Sequence, residues 1–243
     1  MKNNILIAIV LFLFTAASRA QYVTQGKIEY ERKINIHRQY EGERWFEDQK
    51  DKFPKFYTTY SDLLFTTAKS RYQPGREAEN QKMGWGTPPG ADNVVLQDFS
   101  AKTVTAAKQV FEQKFLIQDS ARKLQWRITG EQRTIAGYRC RKAVTKICDS
   151  VFVVAFYTDD IAVSSGPEQF GGLPGMILEL AVPRLYTTWV ATKVELTAPK
   201  EEDLKTPQGK GKKITIPELV KTMKGSLKDW GKWGERAVWW AVM

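Results

Sequence analysis

Histidine is almost missing from this 243-residue chain, which has one, His37, and only two cysteines, Cys140 and Cys148. A serine or cysteine hydrolase needs a histidine held beside its nucleophile, and no nucleophile motif accompanies any serine or cysteine here. Alternation along the opening strand sets His37 beside that strand's polar face, where a solvated side chain is expected. Zinc centres need His, Cys or carboxylate ligands at set spacings, and none occurs. Glycine-rich phosphate loops are lacking too. Gly171-Gly172 leads into a strand-like run and so offers phosphate no helix N-terminus. No metal and no cofactor is expected. Asp159-Asp160 has the makings of a carboxylate pair or weak calcium site, but a solvated turn explains it equally well. Carboxylates scattered along the chain could still converge on a hydrolytic site.

Long apolar runs are scarce as well. The one that stands out, Ile5 to Ala17, has 13 residues, short of the roughly 20 that cross a bilayer. Met1-Lys2-Asn3-Asn4 before it is positive, and Ser18-Arg19-Ala20 after it has small residues at the −3 and −1 positions of a signal-peptidase site. Cleavage between Ala20 and Gln21, followed by export, is the expectation. With no cysteine near that site, a lipoprotein anchor is not expected. Losing Lys2 and Arg19 takes the net charge from +10 to +8. Residues 205–243 hold nine Lys or Arg and three acids, so the excess charge lies mostly in the C-terminal tail. In an exported protein such a tail suits anionic lipids, glycans or an acidic partner and not nucleic acid.

What is present is strand. Gly26 to Ile36 alternates, with Ile28, Tyr30, Ile34 and Ile36 on one face. Residues 39–56 read as a short helix or irregular excursion. Strand character returns over Ser61–Tyr72, Val94–Phe99, Val104–Ile117, Leu124–Thr129, Gly137–Val144 and Val151–Thr158, although Lys108–Ile117 is also compatible with a helix. Phe152, Val154 and Phe156 are expected to mark the core face of one central strand. Val190, Val194 and Leu196 do the same for Thr187–Leu196. Gln73 to Asp92 is a long loop carrying Trp85 between two glycines, a residue that either plugs the core or waits for a partner. If the chain reverses near Val144, Cys140 and Cys148 face each other. A disulfide there would contribute about 2.5 kcal/mol, and two buried thiols are the alternative. Pro199–Lys213 reads as a linker. Thr215 and Glu218 form a capping box that starts a short helix. Beyond it, a helical wheel from Ser226 puts Trp230, Trp233, Ala237, Trp240 and Ala241 on one side. That face either completes the core or docks on an envelope membrane or receptor.

The stretch Gly166 to Leu180, GPEQFGGLPGMILEL, organises the rest. Leu173-Pro174 suits the start of a turn with Gly175 at the position that takes positive φ, and Met176–Val182 reads as a buried strand. Gly172, Leu173, Pro174 and Gly175 form a rigid loop, either structural or displayed to a partner.

The string GLPGMIL resembles the signature of the GLPGLI family of Bacteroidetes proteins. Phe115-Leu116-Ile117, Trp126, Glu131, Ile135 to Ala143, Ala155 to Thr158 and Gly166-Pro167 extend the resemblance over about Leu63–Leu180. Phe156 stands where a Trp is usual, and Ala162 where a Pro is usual. The resemblance implies a secreted, β-rich protein that accompanies outer-membrane TonB-dependent receptors, without established catalytic residues.

Three segments are therefore expected: a signal peptide (1–20), a β-rich domain (21–198) and a basic, Trp-rich tail (199–243) packing on that domain. The fold class is mainly β: one large curved antiparallel sheet, a half-barrel resembling lipoprotein carriers, with a few helices including C-terminal ones. The expected function is a non-catalytic envelope protein, an accessory or binding partner of a TonB-dependent receptor. Its candidate contacts are Trp85, the Gly172–Gly175 loop and Trp230, Trp233 and Trp240. A cryptic carboxylate hydrolase and a carrier of a lipophilic ligand are the alternatives.

Overall fold

A computed structural model describes residues 22–78, 88–148, 150–208 and 211–243. The cleavage site at Ala20 and Gln21 and the loop residue Trp85 lie outside them. Twelve strands form one open sheet: β1 (Gly26–Asn35), β2 (Phe56–Phe65), β3 (Lys69–Pro74), β4 (Val94–Asp98), β5 (Thr103–Val110), β6 (Gln113–Ser120), β7 (Arg127–Ile135), β8 (Tyr138–Ile147), β9 (Val151–Thr158), β10 (Met176–Val182), β11 (Thr187–Glu195) and β12 (Lys212–Ile214). Their spatial order is β12-β6-β5-β4-β3-β2-β1-β11-β10-β9-β8-β7. The first six strands thus meander away from β1 on one side, and β11 back to β7 do so on the other. Every pairing is antiparallel except β12 on β6.

Curvature follows from chain length. Between β6 and β7 only residues 121–126 connect the two sides, and they reach at most about 25 Å. Ten strand spacings separate β6 from β7 in the sheet order, or roughly 48 Å if the sheet lay flat. The sheet must curl until its edges approach. The result is a half-barrel whose inner face is the core.

Among the described residues there are four α-helices: α1 (Ile36–Gln39), α2 (Arg44–Glu47), α3 (Ile216–Ser226) and α4 (Gly231–Val242). The capping box opens α3, with Thr215 N–H donating to Glu218 Oε2 at 2.8 Å and Glu218 N–H donating to Thr215 Oγ1 at 3.4 Å. Val238, Trp240, Ala241 and Met243 are buried in the same core cluster as β1 and β11. Among the described residues, no helix is long and apolar enough to cross a membrane.

Several expectations need correction. Ser61–Tyr72 is two strands, because Thr66 Oγ1 accepts from the amides of Ala68 and Lys69 and turns the chain. Val104–Ile117 is a hairpin, neither helix nor one strand, reversed at Phe111 with φ of 54°. On β9 the core face is Val151, Val153, Ala155 and Tyr157, while Phe152 points outward. Phe156 is buried on the outer face, under the Arg133 guanidinium. An apolar run with no polar member gives alternation nothing to choose between. On β11 the buried set is Thr187, Trp189 and Ala191, and Leu196 is exposed. The expected linker includes a short 3-10 turn, Glu201–Leu204, and β12.

Cys140 and Cys148 are not joined. β8 runs straight through Val144 to Ile147, so Cys140 lies on the strand and Cys148 just past its end, up to about 26 Å away at 3.3 Å per residue, instead of across a hairpin. Burial pushes the Cys140 thiol up to about 12, and Cys148 is exposed. Iodoacetamide at neutral pH is expected to add one label to the folded chain, on Cys148, and two after denaturation. A mass unchanged until a reductant is added would show that a disulfide forms.

Candidate functional site

β1 alternates Ile28, Tyr30, Arg32 and Ile34 into the core, so a guanidinium sits among apolar side chains at 1% exposure. Its Nη2 donates to Pro89 O. Its plane lies against two indoles, 4.6 Å from the Trp240 ring centre and 5.3 Å from that of Trp189. The Nε and Nη1 groups meet no acceptor among the described residues. On β5, Val104, Ala106 and Lys108 point inward by the same alternation, and Lys108 is 4% exposed.

The countercharge comes from the glycine-rich signature stretch. Residues Ile161 to Phe170 lie over the inner face, tied down by Ile177 N–H to Ser165 O at 2.8 Å and by Ser70 Oγ to Ser165 Oγ at 2.7 Å. Glu168 on this segment has φ of 57° and is 1% exposed. A left-handed conformation at a non-glycine residue costs on the order of 1 kcal/mol or more, and it turns the carboxylate toward the cations. Glu168 Oε2 accepts from Asn93 Nδ2 at 2.9 Å and from Lys108 Nζ at 3.5 Å. Burial holds the Lys108 ammonium below its usual pKa, with Glu168 opposing that shift and Arg122 adding to it. Burial lowers Arg32 as well.

A pocket of about 380 Å³ opens beside this cluster. Pro88–Asn93, the end of β5 from Lys108 to Val110, Phe111 of the turn that follows, and Ala237, Trp240 and Ala241 of α4 line it. Gly90, at φ of 76°, is the thin part of its floor. A Cβ there would stand 3.1 Å from Asn93 Nδ2, 3.5 Å from Glu168 Oε1 and 3.6 Å from Arg32 Nη1. α4 is held against the pocket at its end, where Gln169 Nε2 and Arg122 Nη2 both donate to Val242 O, at 2.6 and 2.7 Å.

Of the contact residues expected from sequence, Trp240 lines the pocket, buried. Trp233 is half-buried and stacks on Tyr40, centres 5.2 Å apart. Trp230 is 52% exposed and pairs edge-on with Phe111, itself 56% exposed. It leaves the expected helical face because it closes a separate 3-10 turn, Lys228–Trp230, and Gly231, at φ of 51°, redirects the chain where α4 begins. In the signature loop Leu173 and Gly175 are buried, so neither is available to a partner, whereas Gly172 and Pro174 are exposed. Positive φ falls on Gly172, not on the expected Gly175. His37 is half-buried and lies on α1, just past the opening strand. Its Nε2 lies 3.1 Å from Phe53 O and its ring meets Phe46 edge-on. Asp159 pairs with Arg141 at 2.9 Å. Among the described residues, no group of three or more His, Cys, Asp or Glu could hold a metal ion. The cluster of Arg32, Lys108, Asn93 and Glu168 was not foreseen.

A family model described as "N-glycanase peptide, N-terminal domain" matches residues 63–215. That span starts at the Leu63 where the GLPGLI-like set begins, but it carries a different family's description. No curated protein matches the sequence. Two solved structures of PNGF-II, in P21 and C2 space groups, are similar to the chain at 17% identity, each with a TM-score of 0.52. They cover 82% and 86% of this chain, which in turn spans 32% and 33% of theirs, about a third of that protein's length. The Pseudomonas aeruginosa MucA/MucB complex aligns at 9% identity over 80% of this chain and 59% of that one. Its TM-score of 0.39 is too low to speak for a shared fold.

Proposed function

The chain belongs to the N-glycanase N-terminal domain family, and from that premise we propose that it is a non-catalytic binding module of an exported envelope protein. Its ligand is the glycan part of a glycopeptide, seated in the pocket between β5, the Pro88–Asn93 loop and α4. One observation carries this reading: the pocket joins aromatic wall residues, Trp240 and Phe111, to polar groups on its other sides, Lys108, Asn93 and Gln109. A pyranose ring has the matching make-up, apolar C–H faces edged by hydroxyls, and a largely pre-formed site with few placed polar groups suits it. Glu168 fits a supporting role, since it is occupied by Asn93 and Lys108 and 1% exposed. The partner belongs to the proposal too: an outer-membrane TonB-dependent receptor would meet the exposed Phe111–Trp230 pair at the pocket's rim, with Lys228 and Lys232 beside it in sequence.

Calorimetric titration with an N-glycopeptide tests the reading. One site per chain is expected, with the glycopeptide mass unchanged afterwards. Phe111→Gly, which suits the positive φ of that turn and removes one wall, should weaken binding several-fold without lowering the melting temperature. Released glycan would show an enzyme instead, and the absence of any binding would contradict the proposal.

A further inference from the structure

Between α3 and α4 the chain makes an outward elbow. From Lys221 to Lys232 every residue except Met223 and Leu227 is exposed, and a Cβ added at Gly225 or Gly231 would meet nothing within 4 Å. Four lysines, Lys221, Lys224, Lys228 and Lys232, stand there against one acid, Asp229. Lys232 is paired with Glu43, whereas Lys221, Lys224 and Lys228 make no ion pair among the described residues. Around the elbow the exposed Lys114, Lys212 and Lys213 are matched in number by Glu112, Glu218 and Glu235, so the excess positive charge sits on the elbow itself. Lys221 and Lys224 lie on the side of α3 opposite the buried Leu219 and Met223. Lys228 follows about 10 Å beyond Lys221 along the helix, at 1.5 Å per residue. At the tip, Trp230 is exposed and meets the exposed Phe111 of the β5–β6 turn, ring centres 5.4 Å apart. Two large bare rings side by side among lysines mark an interaction surface.

We infer that this elbow docks on an anionic phospholipid bilayer, with Trp230 and Phe111 at headgroup depth and Lys221, Lys224 and Lys228 among the phosphates. A bilayer offers in layers what the elbow offers side by side: negative charge at its surface and apolar chains beneath. An indole, apolar in body and polar at its N–H, suits the boundary between them. A second copy of the chain is disfavoured, because two such elbows repel each other. A soluble acidic chain would satisfy the lysines and leave the rings with nothing apolar to cover them. The inference does not rest on the glycan reading, but it sets where that pocket works. Phe111 belongs both to the pocket wall and to the aromatic pair, so docking holds the pocket beside the membrane surface. A receptor embedded in that bilayer lies in the same plane.

The apolar run Ile5–Ala17 would carry any chain to lipid, so the test uses residues 21–243, which hold the whole described fold. Sedimentation is measured with vesicles of equal parts phosphatidylcholine and phosphatidylglycerol, and with vesicles of phosphatidylcholine alone. The protein is expected on the anionic vesicles only, and added salt should release it. A lysine at an anionic surface is worth about fivefold in affinity. Replacing Lys221, Lys224 and Lys228 together by Gln should therefore weaken binding about a hundredfold, with the melting temperature unchanged. Trp230→Ser should weaken it several-fold. Wild-type protein that stays in the supernatant, or that binds both vesicle types equally, would overturn the inference. Anionic binding that survives the triple replacement would overturn the assignment of the elbow. Association only with vesicles that carry an outer-membrane receptor would give the surface to a protein partner instead. None of these outcomes bears on the glycopeptide titration, so the inference and the glycan reading fail separately.

Discussion

Gly175→Ala is expected to unfold the chain under conditions where Gly172→Ala leaves it folded. At Gly175 a Cβ would stand 2.8 Å from Thr158 C and 3.0 Å from Asp159 Cα, with the Thr158 carbonyl oxygen nearer still. These atoms are backbone at the end of β9, the strand that pairs with β10 from Met176 onward, and neither strand can retreat without breaking the pairing. The cost should reach at least about 3 kcal/mol. For a domain of this size that means a melting temperature lower by about 6–12 °C or more. Valine should be little worse than alanine, because the first carbon already does the damage. Gly172 has the opposite problem. Its φ of 88° strains any side chain, yet its Cβ would find nothing closer than Trp126 Nε1 at 3.7 Å. About 1 kcal/mol is expected there. A Gly175→Ala variant that melts with the wild type would disprove the close approach.

Glu168→Ala should be nearly as damaging, for an electrostatic reason. It leaves Lys108 and Arg32 buried without their carboxylate, and removing one partner of a buried ion pair costs about 3–5 kcal/mol. The deficit should depend on pH in a definite direction. Lys108 has a folded pKa below its ordinary 10.5, so over the interval between those values the unfolded chain binds more protons than the folded one. Stability from this group therefore rises with pH across that interval. Without Glu168, whose charge raises the Lys108 pKa, the interval extends lower. The gap in melting temperature between variant and wild type should accordingly narrow as pH rises toward 10.5. Tyr30 and Tyr72 work the other way. Burial raises both above 10.0, so their contribution is lost as pH rises past that value, equally in both proteins for Tyr30 and less in the variant for Tyr72, whose pKa the Glu168 charge also raises. A gap that stays constant would mean that Lys108 does not feel Glu168.

Much of the architecture could be read from the residues, and the misses have physical causes. Alternation located β1 and β11, apolar runs located β9 and β10, and the short turns between strands implied a meander. Arg32 was legible too: it shares the parity of Ile28, Tyr30 and Ile34, and a charge at a core-facing position is the mark of a buried site. Lys108 likewise follows Val104 and Ala106. Glu168 was hidden, because a glutamate between Pro167 and Gln169 looks like any turn residue until the sheet curls around it. Hairpins at Thr66 and Phe111 were missed for want of a glycine, proline or asparagine at the reversal. A threonine hydroxyl makes the first turn, and an uncommon positive φ makes the second. The pocket joins segments far apart in sequence, which no local pattern reports.

The most direct measurement follows the indole N–H signals of the ¹⁵N-labelled chain while an N-glycopeptide is added. Trp126 Nε1 donates to Gly171 O at 2.9 Å and Trp189 Nε1 to Tyr72 Oη at 3.1 Å, so both should hold nearly still. Trp240 Nε1, which has no acceptor among the described residues, should move farthest and in a saturable way, its signal assigned by its loss in Trp240→Phe. If Trp240 stays in place at saturation while Trp230 alone moves, or if no indole responds, the pocket is not where the ligand binds.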